Sequence, residues 1–150
     1  MLNLCLINNS NGFYTPQNKT FKSWLNFLKS NENFEINIVL ENKDKMREYN
    51  HKYRNKKKFT DVLSFPYNGH QPKGILILGD IIMCPEAIYN KANKYSFSIK
   101  NCWAHMTIHS TLHLLGYKHD KEHDRFLMEK KEIELLGELG VQNPYFYNVS

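Results

Sequence analysis

Between Ile99 and Leu115 the chain is strongly apolar, yet it carries histidines at 105, 109 and 113 and stops at Gly116. A helix with so little polar surface belongs in the centre of a fold, with other elements packed around it. Polar rings that such a helix carries into the interior need partners, so the histidines are expected to line a partly sheltered cleft. Residues four apart on a helix project from one face, one turn above the other. His109 and His113 can therefore grip the same ion. Gly116 accepts the left-handed conformation that ends helices, and the chain can then turn His119 back toward the pair.

Counted from His109, the offsets of 4, 7 and 10 to His113, Gly116 and His119 match the HExxHxxGxxH spacing of metzincin zinc sites. Three neutral imidazoles suit zinc better than magnesium or calcium, which prefer oxygen ligands. The expectation is one zinc ion on His109, His113 and His119, with a fourth position left for water. That is the catalytic pattern, since structural zinc is usually closed by four ligands. Zinc brings the pKa of such a water to about 7. His105 lies two turns from His113, about 12 Å along the axis, and cannot join the same ion; it is expected to support or pack behind the site. His123 is expected on the exposed face of the last helix, and Asp120 as that helix's cap. In metzincin proteases the residue after the first histidine is a glutamate acting as general base. Here it is Ser110, which cannot take that role at pH 7, so peptide hydrolysis ranks second.

At 150 residues the chain suffices for one domain, 1–150, with a real core. No stretch approaches the ~18 to 20 apolar residues of a membrane span, because Ile75–Met83 is broken by Gly79 and Asp80. Met1–Ile7 lacks a basic flank and reads as a strand, not a signal peptide, so the expected location is cytoplasmic. Cys5, Cys84 and Cys102 have no metal-binding spacing and read as small buried hydrophobes in a reducing compartment. The net charge of +5 is concentrated: Lys43–Lys58 holds eight Lys or Arg against Asp44 and Glu48. Such a stripe suits a polyanion, whose bound counterions are released on contact.

Apolar patterning places strands at Leu2–Asn8, Phe34–Leu40, Val62–Phe65 and Gly74–Met83. It places helices at Asn18–Lys29, Asp44–Tyr53, Pro85–Tyr95, Ile99–Leu115 and Glu122–Leu139. The last helix offers Phe126, Met128, Ile133, Leu136 and Leu139 to the core. With strands mostly first and helices mostly last, the class is α+β: one small mixed sheet packed with helices, the three-histidine site at the end of a central helix. Tyr53, Phe65 and Tyr67 are read as packing aromatics, and Asp61 and Asp80 as turn or capping residues.

The stretch AHMTIHSTLHLLGYKH resembles the H-G-x-L-H-L-x-G-Y-D-H signature of the YbeY family, bacterial endoribonucleases of rRNA maturation. Further blocks resemble the same family in order: Tyr53–Lys56 followed by Thr60–Pro66, then Leu78–Ile81, then Leu139-Gly140 with Asn143–Tyr145. They cover most of the chain from about residue 46; the first 45 residues match only as strand–helix–strand. The resemblance implies that His109, His113 and His119 are the zinc ligands and Arg54 the functional arginine. It implies a substrate of single-stranded RNA, including the 3′ end of small-subunit rRNA, and a role in ribosome quality control beside ribosomal proteins. Two positions depart from the pattern: Ser110 replaces a glycine and Lys118 an aspartate, and neither removes a ligand.

Phosphodiester cleavage builds charge on phosphorus oxygens, which zinc and an arginine can stabilise. Arg54 is therefore expected to hold a phosphate by two parallel bonds, with Lys56, Lys57 and Lys58 steering the backbone. Two alternatives stand beside this zinc endoribonuclease. One is a zinc peptidase or amidohydrolase on the same histidines. The other is a non-enzymatic ribosome-assembly factor whose zinc holds the fold.

Overall fold

The computed structural model describes residues 1–28, 32–58 and 60–145. Its elements in chain order are β1 (Leu2–Asn8), α1 (Asn18–Trp24), β2 (Asn33–Leu40), α2 (Lys43–Arg54), β3 (Val62–Pro66), β4 (Ile75–Met83), α3 (Pro85–Tyr95), α4 (Ile99–Leu114) and α5 (Glu122–Glu138). The sheet order is β1-β2-β4-β3. β1, β2 and β4 are mutually parallel, while β3 returns antiparallel along β4. The α+β class and the mixed sheet are as the patterning predicts. The first helix is shorter than predicted: it ends at Trp24, with Leu25 as its cap, and Lys29 lies outside the described residues.

Alternation along β2 explains the layering. Phe34, Ile36, Ile38 and Leu40 point to one face and are buried in the main core with α1, α3, α4 and α5. On the other face of the sheet, Ile82 packs with Leu63 and with Met46 from α2, since successive side chains of a strand alternate faces. The basic helix α2 therefore covers the sheet from the side opposite α4.

α4 is the helix the apolar run requires. Its Trp103, Ala104, Ile108 and Leu112 are fully buried, and it packs against α1, α3, α5, β3 and β4. The face of α5 differs from the expected one. Met128, Leu135 and Leu136 are buried, whereas Phe126 is 59% exposed and Leu139 38%. The stripe at 128, 132, 135 and 136 follows helical spacing, and its second member is the fully buried Glu132. Cys84 and Cys102 are buried as expected, but Cys5 is exposed on β1.

Between β2 and β4 the register skips one residue at Glu35/Ile36, and Gly79 stands at the skip with a φ of +139°. A Cβ there would run into the Phe65 carbonyl oxygen and stand 3.0 Å from Pro66 Cα. Both obstacles are backbone of β3 and cannot rotate away. Gly79→Ala is therefore expected to destabilise the protein by about 3 kcal/mol, from overpacking plus the strained φ. Urea denaturation checks it, and an unchanged midpoint would mean that β3 yields freely.

Candidate metal centre

The end of α4 sets the site. Gly116, at φ +101°, lets its own N–H reach the His113 carbonyl and the Tyr117 N–H reach that of Leu112, each at 3.0 Å. This pair of bonds closes the helix and aims the Tyr117 carbonyl at the imidazole one turn back. His113 Nδ1 donates to it at 3.0 Å. Beyond the turn the chain brings the exposed His119 ring to 4.6 Å from that of His113 and 5.9 Å from that of His109. One ring nitrogen each of His109, His113 and His119 lies within 4.8 Å of the others.

His109 is fixed from behind by a residue the sequence did not reveal. Its Nδ1 is 2.8 Å from Oε1 of Glu132. The other carboxylate oxygen accepts from His105 Nε2 at 2.8 Å and from the Tyr145 hydroxyl at 2.6 Å. Burial pushes the Glu132 carboxyl up, but the hydrogen bonds from His105 and His109 outweigh it and hold the group at about 2. Glu132 is thus an anion that only accepts. Burial lowers His105 despite that anion. It lowers His113 as well, with the neighbouring His109 adding to the effect. Burial and then the charge of Glu132 raise the Tyr145 phenol.

The tautomers follow from these partners. Glu132 accepts a hydrogen bond from His109 Nδ1 and the Tyr117 carbonyl one from His113 Nδ1, which leaves Nε2 of each ring as the ligand atom. Those two Nε2 atoms face each other at 3.2 Å. Two ring nitrogens at that distance share either a proton or a cation, and a third imidazole stands within reach. The donor set therefore fits a metal ion that accepts nitrogen ligands. His105, His109 and Glu132 also lie within 4.8 Å of one another. Their short direct hydrogen bonds engage both carboxylate oxygens, which makes them a support for His109, the arrangement that orients metal-bound imidazoles elsewhere.

A cleft of about 340 Å³ opens beside the histidines, lined among others by His109, His119, Asp61, Lys91, Arg125 and Glu129. Arg54 does not line it. With Lys56 and Lys58 it lines an adjacent shallow cleft of about 400 Å³, and Asp61 belongs to the walls of both. Lys57 is exposed and lines neither. Asp61 is no simple turn residue, since its carboxylate accepts from Lys91 Nζ at 3.2 Å. Asp80 sits within β4, accepting from Asn37 Nδ2 at 2.9 Å.

Several other expectations are corrected or placed. Tyr53 is 53% exposed and Tyr67 39%, so neither is a core aromatic; Tyr53 packs at the surface against Phe65 at 5.1 Å and stacks on Tyr49 at 6.3 Å. Asp120 does not cap α5, whose N-cap is Lys121 without a side-chain bond. His123 is exposed, as expected. Ser110 is fully buried, and its hydroxyl has no hydrogen-bond partner among the described residues. It lines neither cleft.

One sequence signal bears on Glu132. It is the single acid on the apolar stripe of α5, where a charge must be paired to be tolerated. Its partners on α4 and after α5 are 27 and 13 residues away.

A small α+β fold with an imidazole cluster, a buried carboxylate behind it and a cleft in front defines the class of metal-dependent hydrolytic enzymes. Comparison makes the class specific. The family model described as Endoribonuclease YbeY matches residues 7–140. A protein named Endoribonuclease YbeY from Psychromonas ingrahamii is 37% identical over 136 residues, 87% of this chain and 86% of that protein. One of the same name from Buchnera aphidicola subsp. Schizaphis graminum is 37% identical over 138 residues, 90% and 87% of the two. The chain belongs to the YbeY endoribonuclease family. A solution structure from Thermotoga maritima, 22% identical, shares the fold with a TM-score of 0.57 over 98% of this chain and 96% of that one. Among the described residues no helix is long and apolar enough to cross a membrane.

Proposed function

We propose that this protein is a zinc-dependent endoribonuclease that cleaves single-stranded RNA. The observation that carries the reading is the three-imidazole cluster of His109, His113 and His119, two of its Nε2 atoms 3.2 Å apart, backed by Glu132 and Tyr117 and bordering a cleft. His109, His113 and His119 would hold the ion. When bound, zinc supplies a Lewis acid that activates water near neutral pH and offsets charge on phosphorus oxygens. Membership in a family whose relatives are named endoribonucleases supports RNA as substrate. The family resemblance further supports rRNA maturation at the 3′ end of the small-subunit RNA and ribosome quality control, in the cytoplasm among ribosomal proteins.

The chain's own residues divide the remaining work. Glu132 and the Tyr117 carbonyl hold two imidazoles in one tautomer and orientation, so no reorganisation accompanies the reaction. Arg54, Lys56 and Lys58 border the cleft next to the histidines and would grip phosphates of the incoming strand, Arg54 by two parallel N–H···O bonds. Hydrolysis adds water across one ester bond. The water oxygen bonds to phosphorus, the bond to the leaving oxygen breaks, and a water proton ends on that oxygen. Ser110, where peptidase chemistry wants a base, is fully buried, so no observation favours that alternative.

The test is cleavage of labelled single-stranded RNA by zinc-loaded protein. Chelation should abolish cleavage and zinc should restore it, with double-stranded RNA left uncut. Arg54→Lys should slow cleavage about tenfold, equivalent to ~1.4 kcal/mol of lost phosphate binding, because the charge stays and the fork goes. Cleavage indifferent to chelation, or none by folded zinc-loaded protein, would overturn the reading.

A further inference from the structure

Arg54 lines the adjoining cleft, and the histidine cleft holds cations of its own. The histidine cleft shares Asp61 with the cleft that Arg54 lines, but not Arg54 itself. A cation is still needed there, because charge grows on the non-bridging oxygens as the attacking oxygen approaches phosphorus. Two cationic residues line this cleft. Lys91 comes from α3 and Arg125 from α5, and both helices pack against α4. Both therefore reach the cleft from helices packed on the one that carries His109 and His113.

Each has free capacity. Lys91 Nζ donates to Asp61 Oδ2 at 3.2 Å and to Met106 Sδ at 3.6 Å, which engages two of its three N–H groups. Its side chain remains 32% exposed. Asp61 thus holds the ammonium at the wall where the two clefts meet, with a donor left over. The charge of Lys91 also reaches the ring of His105, which it helps to lower. Arg125 is exposed and makes no ion pair among those the structure shows for the described residues. An unpaired guanidinium at a cleft mouth offers the planar fork that fits a phosphate.

We propose that Lys91 and Arg125 form a phosphate clamp in the histidine cleft, Lys91 set in place by Asp61, which binds the RNA phosphate at the reacting position. The clamp rests on the endoribonuclease reading and adds to it the residues that touch the substrate there. Both groups serve as positive charge beside the phosphate. A purely structural Lys91, tying α3 to the segment before β3, would affect stability alone.

The clamp is tested on zinc-loaded protein by its affinity for a single-stranded 2′-O-methyl RNA as salt is raised. Each phosphate left without its cation lowers the slope of log affinity against log salt by about 0.7 for a single strand. Lys91→Met and Arg125→Met should each reduce the slope by about that much. They should also slow cleavage of ordinary labelled RNA about a hundredfold, the scale of one missing charge-stabilising donor. Arg125→Met should keep the parent's melting temperature, and both variants its zinc content. Lys91→Arg should recover the slope, and the remote exposed Lys22→Met should keep both slope and rate. If Lys91→Met does not fold, Arg125→Met decides alone, because it breaks no ion pair. A parent slope retained in a folded variant of either residue overturns the clamp. A folded, zinc-loaded parent that cleaves no single-stranded RNA overturns the endoribonuclease reading and the clamp with it. A parent that cleaves while the variants match it overturns the clamp alone.

Discussion

His113→Ala is expected to lower RNA cleavage at least about a thousandfold, roughly 4 kcal/mol of transition-state stabilisation, while the protein stays folded. The reason lies in what His113 touches. Its ring is half-buried, and its hydrogen bond is the one to the Tyr117 carbonyl at 3.0 Å. Losing a hydrogen bond of that kind costs about 1 kcal/mol. The rest of α4 is held by Trp103, Ile108 and Leu112 in the core, and the turn after it is closed by backbone bonds at Gly116 and Tyr117. That packing does not need the imidazole. The proposed metal site does, because His105 is two turns away and already bonded to Glu132. Circular dichroism, a melting curve and zinc content on one sample, with the cleavage rate, check this. A variant that unfolds on losing its zinc would instead identify a structural ion and favour the assembly-factor alternative.

Glu132→Ala is expected to cost about 3 to 5 kcal/mol of stability, because each buried donor left without its acceptor costs about 1 to 3 kcal/mol. Three donors converge on that carboxylate, from His105, His109 and Tyr145, and none of them would find a replacement. Glu132→Gln keeps the shape and separates stability from metal binding. The amide satisfies some of the donors but no longer fixes His109 with its Nδ1 proton inward. Zinc affinity should fall about ten- to hundredfold, the range seen when such supporting carboxylates are changed. Competition with a chromophoric chelator measures the affinity, and denaturation measures the stability. Parent-like zinc affinity in a folded Glu132→Gln would mean that the carboxylate holds the fold and not the ligand.

These two positions differ in how far the chain announces them. The spacing of His109, His113, Gly116 and His119 was readable because its geometry is local: a helical turn and a glycine stop fix it within eleven residues. The central helix was readable for a related reason, since an apolar run of that length has nowhere else to go. Glu132 was hidden in a helix with Glu129, Glu134 and Glu138 as neighbours. Phe126 and Leu139 drew the expected stripe of α5 toward a face that the structure leaves exposed. Periodicity ranks hydrophobicity, and on that scale a buried anion counts against the face that needs it.

Arg54 shows the same limit. Its motif was visible, but which of two adjoining clefts it lines depends on how α2 packs on the far face of the sheet. Lys91 and Arg125 were invisible as a pair, because they lie on separate helices that both pack against α4. Alone, the sequence determined the α+β class, the central helix and the three-histidine spacing, each resting on contacts within a few turns of chain. Only the tertiary structure decided the strand order, the buried Glu132 behind His109 and the cations that face the cleft. Those depend on side chains tens of residues apart, which become neighbours only when burial of the shared core brings their helices together.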